Sequence, residues 1–148
     1  MQAYFLDNPE RTIGEAKLNA EGIFYRQLPV AEADYAVPLR AIREERGYIA
    51  MDEVVLGKNT PNLAALQDKF FAEHLHTDEE IRFVVEGAGI FDLRDADDRW
   101  MRVHVEPGDL LIVPPNKYHR FALDEQKTIR CKRLFQNNLG WEAINRAA

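Results

Sequence analysis

Three of the four histidines stand at spacings that can build a metal site. His74 and His76 are two apart in the stretch Glu73-His74-Leu75-His76-Thr77-Asp78-Glu79-Glu80. On a strand, residues i and i+2 point to one face, whereas on a helix they diverge by about 200°. Two imidazoles serving one site therefore require an extended segment. If that strand runs on without a bulge, the same parity carries Asp78, Glu80 and Arg82 to the site face. It sends Leu75, Thr77, Glu79, Phe83 and Val85 to the other side. His119 lies far along the chain, after Pro114-Pro115-Asn116-Lys117-Tyr118, and shares its parity with Phe121 and Leu123. A place on a neighbouring strand would bring it beside the pair.

Three imidazoles and one carboxylate (Asp78, Glu79 or Glu80) form an N3O donor set for a single divalent ion. The set holds no thiolate, which disfavours structural zinc. Nitrogen and oxygen donors suit Fe(II), Ni(II) or Mn(II), and four protein ligands on an octahedral ion leave two positions for a chelating substrate. That arrangement serves redox or Lewis-acid chemistry rather than scaffolding. Arg82, two residues after Glu80, would place a permanent charge beside a bound anion and cannot act as a base. Its structural alternative is a salt bridge to Glu86 or another carboxylate.

The remaining reactive side chains have plainer readings. His104 alternates with Val103 and Val105 and is expected to face outward. Cys131 has basic neighbours but no partner histidine nearby in sequence, and reads as a small buried residue. Asp95, Asp97 and Asp98 lack the glycine and bidentate glutamate spacing of a calcium loop and read as a solvated hairpin turn.

Short β-like segments must position the site: Ile81 to Val85, Ile90 to Leu93, Trp100 to Val105, Leu110 to Val113 and Tyr118 to Leu123. Turn signals such as Gly87-Ala88-Gly89 and Pro107-Gly108-Asp109 separate them, a pattern of antiparallel sandwiches and small barrels. The N-terminal part is expected to add flanking helices. One would begin at Pro38 and exit at Gly47. A second would have Thr60 as N-cap and Pro61 in its first turn. The stripe Leu63, Leu66 and Phe70 on the second helix is the candidate cover for Phe83 and Val85.

The chain has 148 residues, of which 19 are Lys or Arg and 25 Asp or Glu, for a net charge of −6. No basic cluster suits a phosphate backbone, so nucleic acid is not an expected partner. No uncharged apolar run approaches the roughly 18 residues that span a bilayer. The start Met1-Gln2-Ala3-Tyr4-Phe5-Leu6-Asp7 lacks the charged and apolar regions of a signal peptide. One cysteine excludes an internal disulfide and fits a reducing cytoplasm.

His74, His76, Glu80 and Gly87 fit the pattern His-x-His-x3-Glu-x6-Gly. Gly108, Pro114 and His119 fit Gly-x5-Pro-x-Gly-x2-His, with Asn116 in place of the second glycine. Asp68 stands where the first pattern often has Gly. These residues resemble the two cupin motifs, and the resemblance selects Glu80 as the carboxylate ligand. More narrowly, the blocks around Glu73-His74-Leu75-His76-Thr77-Asp78-Glu79-Glu80 and Glu106-Pro107-Gly108-Asp109 resemble the acireductone dioxygenase family. That likeness runs from Gln2 through Trp141 and Asn145-Arg146.

The resemblance implies a mainly β chain: one cupin domain over residues 1–148, a small antiparallel β-barrel or jelly roll with flanking N-terminal helices. The metal site would lie within roughly residues 70–125. One Fe2+ or Ni2+ would sit on His74, His76, Glu80 and His119. The substrates would be acireductone and O2, with Arg82 as the catalytic cation and Phe70 and Phe121 shaping an apolar pocket for the methylthioethyl tail. Trp141 is a weaker pocket candidate and reads as core. The iron form would yield formate and 4-methylthio-2-oxobutanoate in methionine salvage, and the nickel form formate, carbon monoxide and 3-methylthiopropanoate. The expected protein is a cytoplasmic monomer with no membrane partner. The rivals are a quercetinase-like dioxygenase or isomerase on the same ligands, and a non-catalytic metal-binding cupin.

Overall fold

The computed structural model describes residues 1–136 and 143–147. Strands β1 (Gln2–Phe5) and β2 (Asn8–Thr12) open the chain. Then come α1 (Glu15–Ala20), β3 (Phe24–Gln27), α2 (Glu32–Arg46), β4 (Ala50–Leu56) and α3 (Leu63–Phe71). The next strands are β5 (His74–Leu75), β6 (Glu80–Gly87), β7 (Gly89–Arg94) and β8 (Trp100–Val105). The last are β9 (Asp109–Val113), β10 (His119–Leu123), β11 (Ile129–Phe135) and β12 (Ile144–Asn145). No described helix is long and apolar enough to cross a membrane.

Among the described residues the strand pairings are all antiparallel, and they build two sheets. One runs β12-β5-β10-β7-β8-β1-β2 and the other β3-β9-β6-β11-β4. Alternation decides which side chains meet between them. Phe91 and Leu93 from β7, Met101, Val103 and Val105 from β8, and Leu111, Val113 and Cys131 from the smaller sheet form the core there.

A second core lies on the outer face of the smaller sheet. Ile81, Phe83 and Val85 from β6 join Leu110 and Ile112 from β9 and Leu134 from β11 under Tyr35 and Leu39 of α2. Strand β9 is therefore buried along its whole length, which explains its apolar run Leu110 to Val113. The cover over Phe83 is α2 rather than the expected α3. The Tyr35 and Phe83 rings meet edge to face, with centroids 5.1 Å apart. Leu66 and Phe70 of α3 pack instead against the core between the sheets.

Three local expectations need correction. Helix α2 begins at Glu32, so Pro38 lies inside it and not at its first turn. Proline there removes the bond to the Asp34 carbonyl, and burial of Tyr35 and Leu39 carries the helix through it. Gly47 ends the helix in the left-handed region as expected, at φ 73°. Helix α3 begins at Leu63 after Asn62. Thr60 instead closes a turn, its Oγ1 accepting from the Gly57 N–H at 2.8 Å. The Asp95 turn is less solvated than its composition suggests. Asp95 is buried and accepts from the N–H groups of Asp97 and Arg99 at 2.9 Å each, while Asp97 and Asp98 are exposed.

The first sixty residues also supply β1 to β4, strands in both sheets that alternation did not reveal. β2, for instance, is exposed on both faces and carries no pattern of burial.

Candidate metal centre

The segment from His74 to Glu80 crosses from one sheet to the other. β5 belongs to the larger sheet and spans two residues; β6 belongs to the smaller sheet and starts at Glu80. The uninterrupted strand expected through Asp78 is thus broken between Leu75 and Glu80. The chain turns across the gap between the sheets, and His76 lies in the crossing. Asp78 is half-buried there, and Glu79 points away to Arg46 and Tyr48.

His119 is brought in by register. It opens β10 directly opposite His74 on β5, with Leu93 of β7 on its other side. The rings of His74 and His119 stand 4.5 Å apart between centroids, and His76 lies 5.2 and 5.5 Å from them. One nitrogen from each of the three imidazoles falls within 4.8 Å of the others, and all three residues are buried. This is the single such group among the described residues.

Backbone carbonyls set the ring orientations. Nδ1 of His74 faces the Ala72 carbonyl at 2.6 Å, and Nδ1 of His119 faces that of Lys117 at 2.8 Å. A carbonyl only accepts, so each Nδ1 carries the hydrogen and each neutral ring presents the Nε2 lone pair inward. Glu80 Oε2 lies against His119 Nε2, yet neither buried atom makes a well-formed hydrogen bond. A divalent cation between them would satisfy both lone pairs, so the donor set fits a metal. A proton competes for the same Nε2, and binding of the cation would release it.

Arg82 binds the other side of the carboxylate. Its Nη2 reaches Glu80 Oε1 at 2.8 Å, and Nη1 donates to the Ile81 carbonyl at 3.1 Å. Arg82 thus pairs with Glu80, while Glu86 pairs with Arg130. Burial pushes the Glu80 carboxyl upward, but His119 and Arg82 outweigh that and hold it well below the usual carboxylate range. Burial also disfavours a charged His119, and the facing Glu80 carboxylate pushes its pKa up. His74 shifts downward, chiefly by burial.

A pocket opens beside these groups. His74, Glu80, His119 and Arg82 line its polar end, and Phe70 and Phe121 are among its other lining residues. Their rings meet at 6.3 Å, and Phe121 also packs on Phe91 at 4.9 Å. Val54, Leu56, Ile129 and Cys131 complete an apolar wall that the sequence reading missed. Arg133, tied to Asp52 at 2.7 Å, is a further lining residue. The parity Ile129, Cys131, Arg133 was a readable signal, but nothing in sequence placed that strand beside Arg82. Cys131 is buried as expected, and burial pushes its thiol up. His104 sits apart on β8, half-buried, with Nε2 at 2.9 Å from the Tyr4 hydroxyl. Trp141 lies outside the described residues.

The glycine and asparagine of the two motifs have geometric reasons. Gly87 has φ 74°, and a Cβ there would stand 2.2 Å from the Thr128 carbonyl oxygen. Asn116 has φ 65°, a left-handed conformation that asparagine adopts more readily than most residues.

Two facing antiparallel sheets, with three histidines converging between their strand ends, define a metal-binding cupin. The model of the ARD/ARD' family matches residues 6–143. The acireductone dioxygenase of Dictyostelium discoideum is 45% identical over 146 residues, covering 99% of both chains. That of Heterostelium pallidum is 49% identical, covering 99% of this chain and 98% of its own. A solved acireductone dioxygenase from Bacillus anthracis, with a cadmium ion in its active centre, is 31% identical. It superposes with a TM-score of 0.89 over 97% of this chain and 96% of that one. The chain belongs to the ARD/ARD' family, the acireductone dioxygenases.

Proposed function

We propose that the chain cleaves acireductone with O2 at one Fe2+ or Ni2+ held by His74, His76, Glu80 and His119. The observation that carries this reading is the convergence of three buried imidazoles and one buried carboxylate at the polar end of a half-apolar pocket. The bound metal supplies Lewis-acid and redox chemistry to a chelating enediolate and O2.

The chain's own groups do the rest. The Ala72 and Lys117 carbonyls fix the His74 and His119 rings before substrate arrives, so little reorganisation remains at reaction. Arg82 holds Glu80 in orientation and places a fixed positive charge at the pocket, where an enediolate would carry negative charge. Phe70, Phe121 and the aliphatic wall receive the methylthioethyl tail and exclude water. The working unit is read as a monomer, one cupin domain in the cytoplasm.

Metal-stripped protein reloaded with Fe2+ or Ni2+ and given acireductone in air provides the test. Oxygen uptake with both ions, with carbon monoxide from the nickel form alone, is the expected result. The iron form would then give formate and 4-methylthio-2-oxobutanoate, and the nickel form formate, carbon monoxide and 3-methylthiopropanoate. No uptake at full occupancy by either ion would overturn the activity and leave the family fold.

A further inference from the structure

Two glutamates stand immediately before two of the site residues, Glu73 before His74 and Glu79 before Glu80. Adjacent residues of an extended chain point to opposite sides, so both carboxylates face away from the imidazole cluster. Each is caught by arginines from distant parts of the chain. Arg94 of β7 reaches the two oxygens of Glu73 at 3.0 and 3.1 Å. Arg146, just past β12, adds a contact to Glu73 at 2.8 Å and bridges to both oxygens of Asp98. Its backbone N–H also donates to the Glu73 carbonyl at 3.0 Å. On the other side of the crossing, Glu79 takes Nη1 of Arg46 at 2.7 Å and the Tyr48 hydroxyl, both at the end of α2. The guanidinium of Arg46 is itself seated on the Phe24 ring, and that of Arg94 on the Trp100 ring.

We propose that Glu73 and Glu79 are positioning residues, each tethering the neighbouring metal ligand through its arginine contacts. The need for tethers follows from the local structure. β5 is two residues long, and among the described residues the stretch between Leu75 and Glu80 belongs to no strand, its His76 carbonyl being held by the Asn116 N–H at 2.8 Å. A ligand on so short an element would move with its loop. Anchors on both flanks fix where the His74 ring and the Glu80 carboxylate stand, and preorganised ligands release a metal slowly. The proposal rests on the ligand set given above.

The experiment uses the full chain loaded with Co2+, whose visible absorption reports the geometry of its ligands, and follows release of Co2+ to excess chelator. Glu73→Ala and Glu79→Ala are each expected to speed release by about tenfold or more and to alter the absorption bands. Arg46→Ala should speed release in the same direction as Glu79→Ala but by no more, because Glu79 then keeps the Tyr48 hydroxyl, and the double variant should release no faster than Glu79→Ala. Arg46→Lys should recover part of the loss. Glu86→Ala, which removes an exposed arginine contact between two residues outside the pocket lining, should release at the wild-type rate. Where an alanine variant fails to fold, Glu79→Gln and Arg46→Lys supply the same comparison. Wild-type release rates and spectra in the Glu73 and Glu79 variants would overturn the tether. Full Co2+ binding by His119→Ala would instead overturn the ligand set, so the two failures are separable.

Discussion

The backbone N–H of Asn116 donates to the His76 carbonyl at 2.8 Å, joining the turn before His119 to the crossing that carries His76. The two motifs, far apart in sequence, are thereby one hydrogen-bonded unit. Asn116 reaches this position with φ 65°, where a β-branched side chain is strained. Asn116→Val should destabilise the fold by about 1–3 kcal/mol and loosen metal binding, whereas Asn116→Gly should come close to wild type. Urea midpoints with and without metal check this. Equal midpoints for the Val and Gly variants would remove the conformational argument.

Removal of a single ligand should separate the carboxylates. His119→Ala and Glu80→Ala are expected to lose stoichiometric metal, because each deletes a buried group whose inward atom has no well-formed hydrogen bond. Asp78→Ala, which alters a half-buried side chain outside the pocket, should keep it. Metal content per chain after dialysis distinguishes these cases, and equal loss in all three variants would count against Glu80.

Arg82 should matter to turnover more than to occupancy. Its guanidinium sits on Glu80 Oε1 and faces the pocket. Deleting a preorganised charge beside a reacting anion costs about 10²–10³ in rate. Arg82→Ala is expected to retain most of its metal and lose turnover on that scale, with Arg82→Lys in between. A fully active alanine variant would remove the role.

Much of this centre was legible because parity and motif spacing act locally. The set His119, Phe121 and Leu123 does turn toward the core between the sheets, and His74 does stand beside His119. The errors arose where tertiary packing decided the outcome. Phe83 and Val85 face the side that parity assigned, but which helix covers them depends on sheet order, and sequence does not carry that. Glu79 illustrates the same limit. Parity put it off the site face, but only the fold brings Arg46 and Tyr48 to meet it. The pocket wall of Val54, Leu56 and Cys131 came from strands that pair across long sequence gaps, Cys131 opposite Val54 among them.

Acid should act through Asp95 away from the site. Burial raises its carboxyl, but the N–H groups of Arg99 and Asp97 and the Arg99 guanidinium outweigh that and hold it below the usual value. A depressed folded-state pKa contributes stability that is complete above the unfolded value, near about 3.9. That stability is lost as pH falls toward the folded value. Asp95→Asn is therefore expected to be less stable than wild type by about 1–3 kcal/mol at neutral pH, with the gap narrowing below about pH 4. Urea titrations at pH 7 and pH 3 measure it, and a gap independent of pH would contradict the sign.

Gly89 tests how the pocket wall is held. A Cβ at this position would stand 2.5 Å from Cε2 and 2.8 Å from Cζ of Phe121. Those atoms are the far end of a side chain, so Gly89→Ala is accommodated by turning the Phe121 ring, with Ile129 Cδ1 at 3.3 Å also giving way. That ring lines the pocket between Phe70 and Phe91, and its displacement narrows the space offered to the substrate tail. The metal ligands lie on other positions and should keep their ion. The expected variant binds metal as wild type does, with KM raised several-fold for the full substrate and much less for an analogue carrying a shortened tail. An unchanged KM for both substrates would show that Phe121 does not bound the tail site, and loss of metal would show that its ring supports the ligands instead.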